Sequence, residues 1–224
     1  MLLVEIFEPK STKEKIPKSK HPLGSGAVAT VYSHETDPHM VVKKEKSHSN
    51  TRELGRYGIH SRHDAFAYYV DAAGPYMSSN PYLPRVYVKN KRQAKNGIIS
   101  YTYVVERLFE RYDPNFNNPI IINSIVEKAL ADPYMVLMTK LPSAKWSAMC
   151  EVITHAIEYN KWDTFKDPNL IEAGKIIHQA MSKYKEDWPQ DDARIRIDLH
   201  AGNYMLRPTP HGVQLVITDP LYSH

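Results

Sequence analysis

Only one cysteine, Cys150, occurs in the 224 residues, so no internal disulfide can form. The 11 histidines are scattered, and none joins a cysteine at zinc-site spacing. Long apolar runs are missing as well. The longest, Gly97 to Val105 with its tyrosines, falls far short of the ~20 residues that cross a bilayer. Met1-Leu-Leu-Val is followed at once by Glu5 and Glu8, unlike a secretory leader. These absences predict a protein of a reducing cytoplasm with no membrane partner. Neither sign of charge dominates: 29 basic residues against 25 acidic leave +4, which favours acidic partners without establishing nucleic-acid binding. No internal repeat and no long low-complexity stretch is visible.

What is present suits an ordinary globular protein, with 42% hydrophobic and 24% charged residues. At this length a folded chain buries roughly 70% of the surface it would expose unfolded, enough for one sizeable domain or two closely packed lobes. Residues 1–20 read as a basic, solvated arm, because Lys10, Lys13, Lys15, Lys18 and Lys20 lie close together. The stretch from His21 to Ser33 reads as two strands joined by a glycine turn, and Met40-Val41-Val42 as a short strand. A helix is predicted over His63 to Ala73, ended by Gly74-Pro75, then a strand pair over Arg85 to Lys89 and Ile98 to Glu106. The second half turns helical. Trp146 to Tyr159 and Pro168 to Lys185 are the clearest cases, the latter with Asp167-Pro168 at its start and Leu170, Ile171, Ile176, Ile177, Ala180, Met181 and Tyr184 at helical spacing. Two short strands, Asn203 to Leu206 and Val213 to Thr218, close the pattern. The order predicts an α+β protein of two lobes, residues 21–108 and a reduced, helical 109–224, with a cleft between them.

Three stretches carry chemistry. Gly24-Ser25-Gly26-Ala27-Val28-Ala29-Thr30-Val31 has the form GxGxxAxV, in which glycines let backbone N–H groups approach phosphate oxygens and Val31 can cover a nucleobase. Ala29 stands where a third glycine is usual. Lys43, at the end of Met40-Val41-Val42, is placed to draw phosphates. A lysine in that role needs an acid to orient it, and Asp64 is the candidate, with Asp71 and Glu53 as competitors. Glu106, where the second strand of the pair ends, is counted among the nucleotide contacts.

The downstream stretch is the most specific. Asp198-Leu-His-Ala-Gly-Asn203 sets an aspartate five residues before an asparagine, and Ile217-Thr218-Asp219-Pro220 follows on the next strand. Asp198 suits the acceptance or orientation of a hydroxyl proton. Asn203 and Asp219 suit magnesium, a hard ion that takes oxygen ligands and keeps several waters. Read alone, each piece is also an ordinary polar loop or an Asp-Pro turn; the order of all of them is what points to phosphoryl transfer from ATP. His200 is read as a loop stabiliser, not a ligand.

The loop Asp-Leu-His-Ala-Gly-Asn resembles the shortened catalytic loop of atypical kinases and aminoglycoside phosphotransferases. Together with Gly-Ser-Gly-Ala-Val-Ala-Thr-Val-Tyr-Ser-His and Ile-Thr-Asp-Pro it looks closer still to the early serine/threonine protein kinase of T-seven-like bacteriophages. That resemblance implies a protein-kinase-like fold with a minimal C-terminal lobe and an enzyme using ATP and Mg2+. It implies phosphorylation of host bacterial proteins, among them transcription and RNA-processing machinery, and of the enzyme itself, in the cytoplasm of the infected cell. It also implies a departure: Arg196 stands two residues before Asp198, where many kinases have histidine. The stretch after Asp219 has no room for the usual activation loop or peptide-binding subdomain, so substrate recognition is expected from the helices at 118–186. Two other readings stay in view: a kinase-like protein that blocks a host factor without catalysis, and a small-molecule phosphotransferase.

Overall fold

A computed structural model describes residues 16–25, 29–45, 65–93, 99–113, 118–189 and 195–223. Its first part is a five-stranded antiparallel sheet in the order β1-β2-β3-β5-β4: β1 (Lys18–Ser25), β2 (Ala29–His34), β3 (Met40–Glu45), β4 (Val86–Gln93) and β5 (Ile99–Glu106). Strands β2, β3 and β5 form the centre, where Val41, Val42, Tyr103 and Val104 are buried. Alternating β-branched and aromatic residues fit a pleated surface packed on one face. The edge strand β1 carries Pro22, which has no N–H to give, and its pairing with β2 shifts register on both sides of that proline.

The solvated arm expected over residues 1–20 needs correcting at its end. Lys18 and Lys20 belong to β1: Lys18 pairs with His34, and its ammonium lies 3.5 Å from the centroid of the Tyr32 ring. Cross-strand pairing and a cation over an aromatic face hold what composition alone assigns to solvent. Residues 1–15 lie outside the described residues.

Helix α1 (Ala65–Ala73) follows the first three strands. Gly74-Pro75 does not stop it outright but continues it as one 3-10 turn, Gly74–Tyr76. Four further helices follow β5: α2 (Pro119–Ala129), α3 (Tyr134–Leu137), α4 (Pro142–Glu158) and α5 (Pro168–Asp187). The side chains of Asn118 and Asp167 cap α2 and α5 by accepting from Ile120 N at 2.9 Å and Asn169 N at 2.9 Å, and each cap precedes a proline. On α4, Trp146, Met149, Cys150, Ile153, Ala156 and Ile157 recur every three to four residues and are buried. Gly174 of α5 permits a close approach, since a Cβ there would lie 2.6 Å from Trp162 Cζ3.

One apolar core runs through the whole structure, joining Phe66, Tyr69 and Val70 of α1 and Tyr103 of β5 to Trp146, Ile153, Leu170 and Ile177 of the helices. Fully burying each such side chain stabilises the fold by about 1.5–3 kcal/mol. Helix α1 packs on α5, where Tyr68 meets Tyr184 edge-on at 5.2 Å and bonds both Asp187 (3.0 Å) and Trp188 Nε1 (2.8 Å). The chain ends in β6 (Ile195–Ile197), the hairpin β7 (Tyr204–Thr209) and β8 (Gly212–Ile217), and β9 (Leu221–Ser223), which pairs with β6. The α+β class expected from the sequence is the one observed, with a sheet and, among the described residues, one helix preceding a helical part.

Candidate functional site

The site forms where β3 meets the last hairpin. Residues 198–203 make a tight loop between β6 and β7, ending in a 3-10 turn at Ala201–Asn203. Its support is mostly main chain. Asp198 N donates to Pro220 O at 2.8 Å, Asn203 N to His200 O at 2.9 Å, and Thr218 N to Asn203 O at 2.9 Å. The β6–β9 pairing, Ile197 to Leu221, ties the two sides of the loop together just before Asp198 and just after Asp219. Asp198 and Asp219 are thereby brought to neighbouring strand ends although 21 positions separate them.

Side chains complete the loop. The Asn203 amide Nδ2 donates to the carbonyl of Asp198, leaving its Oδ1 as the atom for another partner. His200 accepts from Gly202 N through Nδ1 at 3.1 Å, which puts the ring hydrogen on Nε2, 4.0 Å from Asp198 Oδ2. A Cβ on Gly202 would stand 2.9 Å from His200 Cε1, so glycine is what lets the ring cap the turn. From below, Thr154 of α4 donates to Leu199 O at 2.6 Å and shares a 3.0 Å contact with the Tyr204 hydroxyl. Arg196 sits exposed on β6 and pairs with Tyr222 through the backbone, so the loop is supported by strand pairing and by Thr154, not by a side chain at that position.

Lys43 reaches this loop from the sheet. Its Nζ lies 2.7 Å from Asp219 Oδ2, with 13% and 29% of the two side chains exposed. The same ammonium stands 3.5 Å from the centroid of the Phe66 ring on α1. Beneath Asp219, Tyr69 donates from its hydroxyl to Ile217 O at 3.0 Å. Burial, and then the charge of Asp219, push the Tyr69 phenol well above its ordinary pKa.

Lys43, Asp198, Asn203 and Asp219 are thus gathered at one place. Gly24 and Val31 are register partners on β1 and β2, and Val31 also pairs with Lys43, so the glycine strand runs beside the lysine. Around Gly24 the space is open, with nothing within 4 Å of where a Cβ would sit. Ser25 faces Thr30 at 3.3 Å across the base of the turn. Gly26, and the acids Asp64 and Glu53, lie outside the described residues. Asp71 does not orient Lys43: it pairs with Lys89 at 2.7 Å.

The carboxylate of Glu106, expected among the nucleotide contacts, is engaged within the protein. It is buried against the guanidinium of Arg207 on β7, bonded to Arg207 Nε at 2.8 Å and to Nη2, and it accepts from Arg85 N at 2.8 Å. Arg207 also donates to Pro81 O (2.9 Å) and Leu83 O (2.8 Å). An acid at the end of a strand carries no signal that an arginine 101 positions later will claim it.

The donor set fits a hard divalent cation. Asn203 and Asp219 offer an amide oxygen and a carboxylate, oxygen donors of the kind a hard ion takes; among the described residues no group of three or more His, Cys, Asp or Glu side chains gathers as a metal site. An oxygen-poor site of this kind leaves most of the coordination sphere to water and phosphate oxygens, as magnesium prefers.

No protein-family model and no curated protein matches the chain. Among solved structures it is similar to a chain described as "WaaP in complex with acyl carrier protein", at 10% sequence identity and a TM-score of 0.36, over 92% of this chain and 64% of that one. The chain therefore spans somewhat under two thirds of the length of that protein. No helix among the described residues is long and apolar enough to cross a membrane.

Proposed function

We propose that the chain is an ATP- and magnesium-dependent protein kinase that transfers the γ-phosphoryl group to serine or threonine hydroxyls of host bacterial proteins, and to itself, in the cytoplasm of an infected cell. The observation that carries this reading is the 2.7 Å contact between Lys43 and Asp219 beside the Asp198–Asn203 loop. A cation suited to phosphate oxygens, an acid and an amide suited to magnesium, and a half-exposed carboxylate meet at one point on three separate segments.

Each residue has a distinct task in this reading. Asp198, with 41% of its side chain exposed, receives the acceptor hydroxyl's proton as that oxygen bonds the γ-phosphorus and the bond to ADP breaks. Lys43 attracts and orients the phosphates. Asn203 Oδ1 and Asp219 are the residues that would hold the metal, which would supply positive charge against the phosphates. The backbone of Gly24 and Ser25 covers the phosphates, and Val31 lies against the base. Specificity for hydroxyl-bearing proteins, and the host origin of the targets, rest on the resemblance of the three motifs.

The test is incubation of the protein with γ-radiolabelled ATP and a bacterial lysate, beside Asp219→Ala, followed by phosphoamino-acid analysis. Labelled phosphoserine or phosphothreonine that vanishes with the variant is the expected result. No label above the variant's level would overturn the kinase reading and leave a protein that acts by binding alone.

A further inference from the structure

Lys43 is gripped from two sides: by the Asp219 carboxylate at 2.7 Å and by the face of the Phe66 ring at 3.5 Å from its centroid. Phe66 lies in the first turn of α1 and is 6% exposed. Its own position is fixed by neighbours. The ring meets Tyr103 edge-on at 4.9 Å and 86°, and Tyr103, fully buried, is the register partner of Lys43 on β5. Tyr69, 6.0 Å from Phe66, bonds the hairpin at Ile217 O. Helix, sheet and hairpin therefore share one aromatic wedge, and Lys43 rests on its outward face.

We propose that Phe66 is the positioning residue of Lys43, holding the ammonium by its ring face where a nucleotide's phosphates are to be met. The inference rests on the reading of Lys43 as the phosphate-binding lysine. A ring face attracts a cation through its quadrupole and adds no negative charge beside the one Asp219 already brings. A second carboxylate in that place, beside Asp219, would add to the negative charge that an incoming phosphate must meet. Burial of the ring strengthens the attraction, because water does not screen the contact. It also removes freedom that a lysine stem, with its many rotamers, would otherwise lose only on binding. Loss of the ring face accordingly reads as roughly a 2–30-fold loss of nucleotide affinity.

The experiment replaces Phe66 with mono-, di- and trifluorinated phenylalanine, which keep the ring's shape while stripping its face of negative potential step by step. Three quantities are followed: calorimetric affinity for a magnesium–non-hydrolysable ATP analogue, the acylation rate of Lys43 in nucleotide-free protein, and the melting temperature. Affinity should fall in steps along the series and Lys43 should label progressively faster, at a nearly constant melting temperature. Phe66→Leu, apolar but without a face, should behave like the trifluorinated protein in affinity. A wild type that binds the analogue, alongside a series that binds and labels like it, overturns the role of Phe66 alone. A wild type that binds no analogue overturns the nucleotide reading itself, and this proposal with it.

Discussion

Lys43 and Asp219 lie 176 positions apart in sequence and 2.7 Å apart in space. The contact is built by two strand systems that belong to separate sheets. Lys43 is carried by the central sheet through β2 and β5, and Asp219 by the return of β8 toward β9. Helix α1 bridges the two systems beside the contact, since its Phe66 touches Lys43 and its Tyr69 bonds Ile217 two residues before Asp219; farther along, Glu106 of β5 pairs with Arg207 of β7. The ion pair is partly buried, so solvent screens it less than a surface pair, and its geometry depends on that helix.

Lys43 and Asp219 should therefore couple energetically. In a double-mutant cycle of Lys43→Met and Asp219→Asn read by denaturant unfolding, the interaction energy is expected at about 0.5–3 kcal/mol. Strictly additive variants would mean that the two side chains do not hold one another in solution.

Asp198→Ala should separate chemistry from structure. The bonds that shape the loop use the Asp198 backbone, its N to Pro220 O and its carbonyl to Asn203, and these survive loss of the carboxylate. Transfer to an acceptor is expected to fall by about 10²–10⁴, with nucleotide affinity and melting temperature close to wild type. A variant that phosphorylates at the wild-type rate would remove Asp198 from the mechanism.

Arg207→Met should cost far more in stability than any change at the site itself. The guanidinium is 11% exposed and satisfies the Glu106 carboxylate together with two carbonyls, so its loss leaves a buried charge and unpaired oxygens. Removing one partner of such a pair costs about 3–5 kcal/mol. The urea midpoint should drop accordingly, and adding Glu106→Leu should recover only part of it, because Pro81 O, Leu83 O and Arg85 N remain without their partners. A midpoint unchanged by Arg207→Met would show the pair to be peripheral.

These contrasts mark what was legible in the chain. Met40-Val41-Val42 ahead of Lys43 and the Asp198–Asn203–Asp219 spacing announce themselves locally, because strand alternation and short loops are set by near neighbours. Asp167-Pro168 announces α5 in the same way, through its cap. The partnership of Glu106 with Arg207 has no such local mark: both are charged residues on strands, and only tertiary packing turns them inward. Phe66 reads as one more apolar position of a helix, and nothing in its neighbourhood tells that a lysine from another strand will settle on its ring. Strands β6 and β9, three residues each, are too short to show any period.

The buried phenols make the fold sensitive to alkali. Burial pushes the hydroxyls of Tyr69, Tyr82 and Tyr204 well above their ordinary value of 10.0, with Asp219 adding to the effect on Tyr69 and Asp167 to that on Tyr82. In the unfolded chain these groups release protons near pH 10, while the folded chain keeps them. The unfolded state then binds fewer protons, so the slope of unfolding free energy with pH is negative there. The stability tied to each phenol is complete below pH ~10 and is lost as pH climbs from there toward the folded value, by at most about 1.4 kcal/mol per pH unit per tyrosine. With three such groups the melting temperature should fall steeply between pH ~10 and ~11. Tyr69→Phe keeps the ring but removes the ionisable group, and should make that fall visibly shallower. Melting curves that overlay for the two proteins across this range would place the alkaline sensitivity elsewhere.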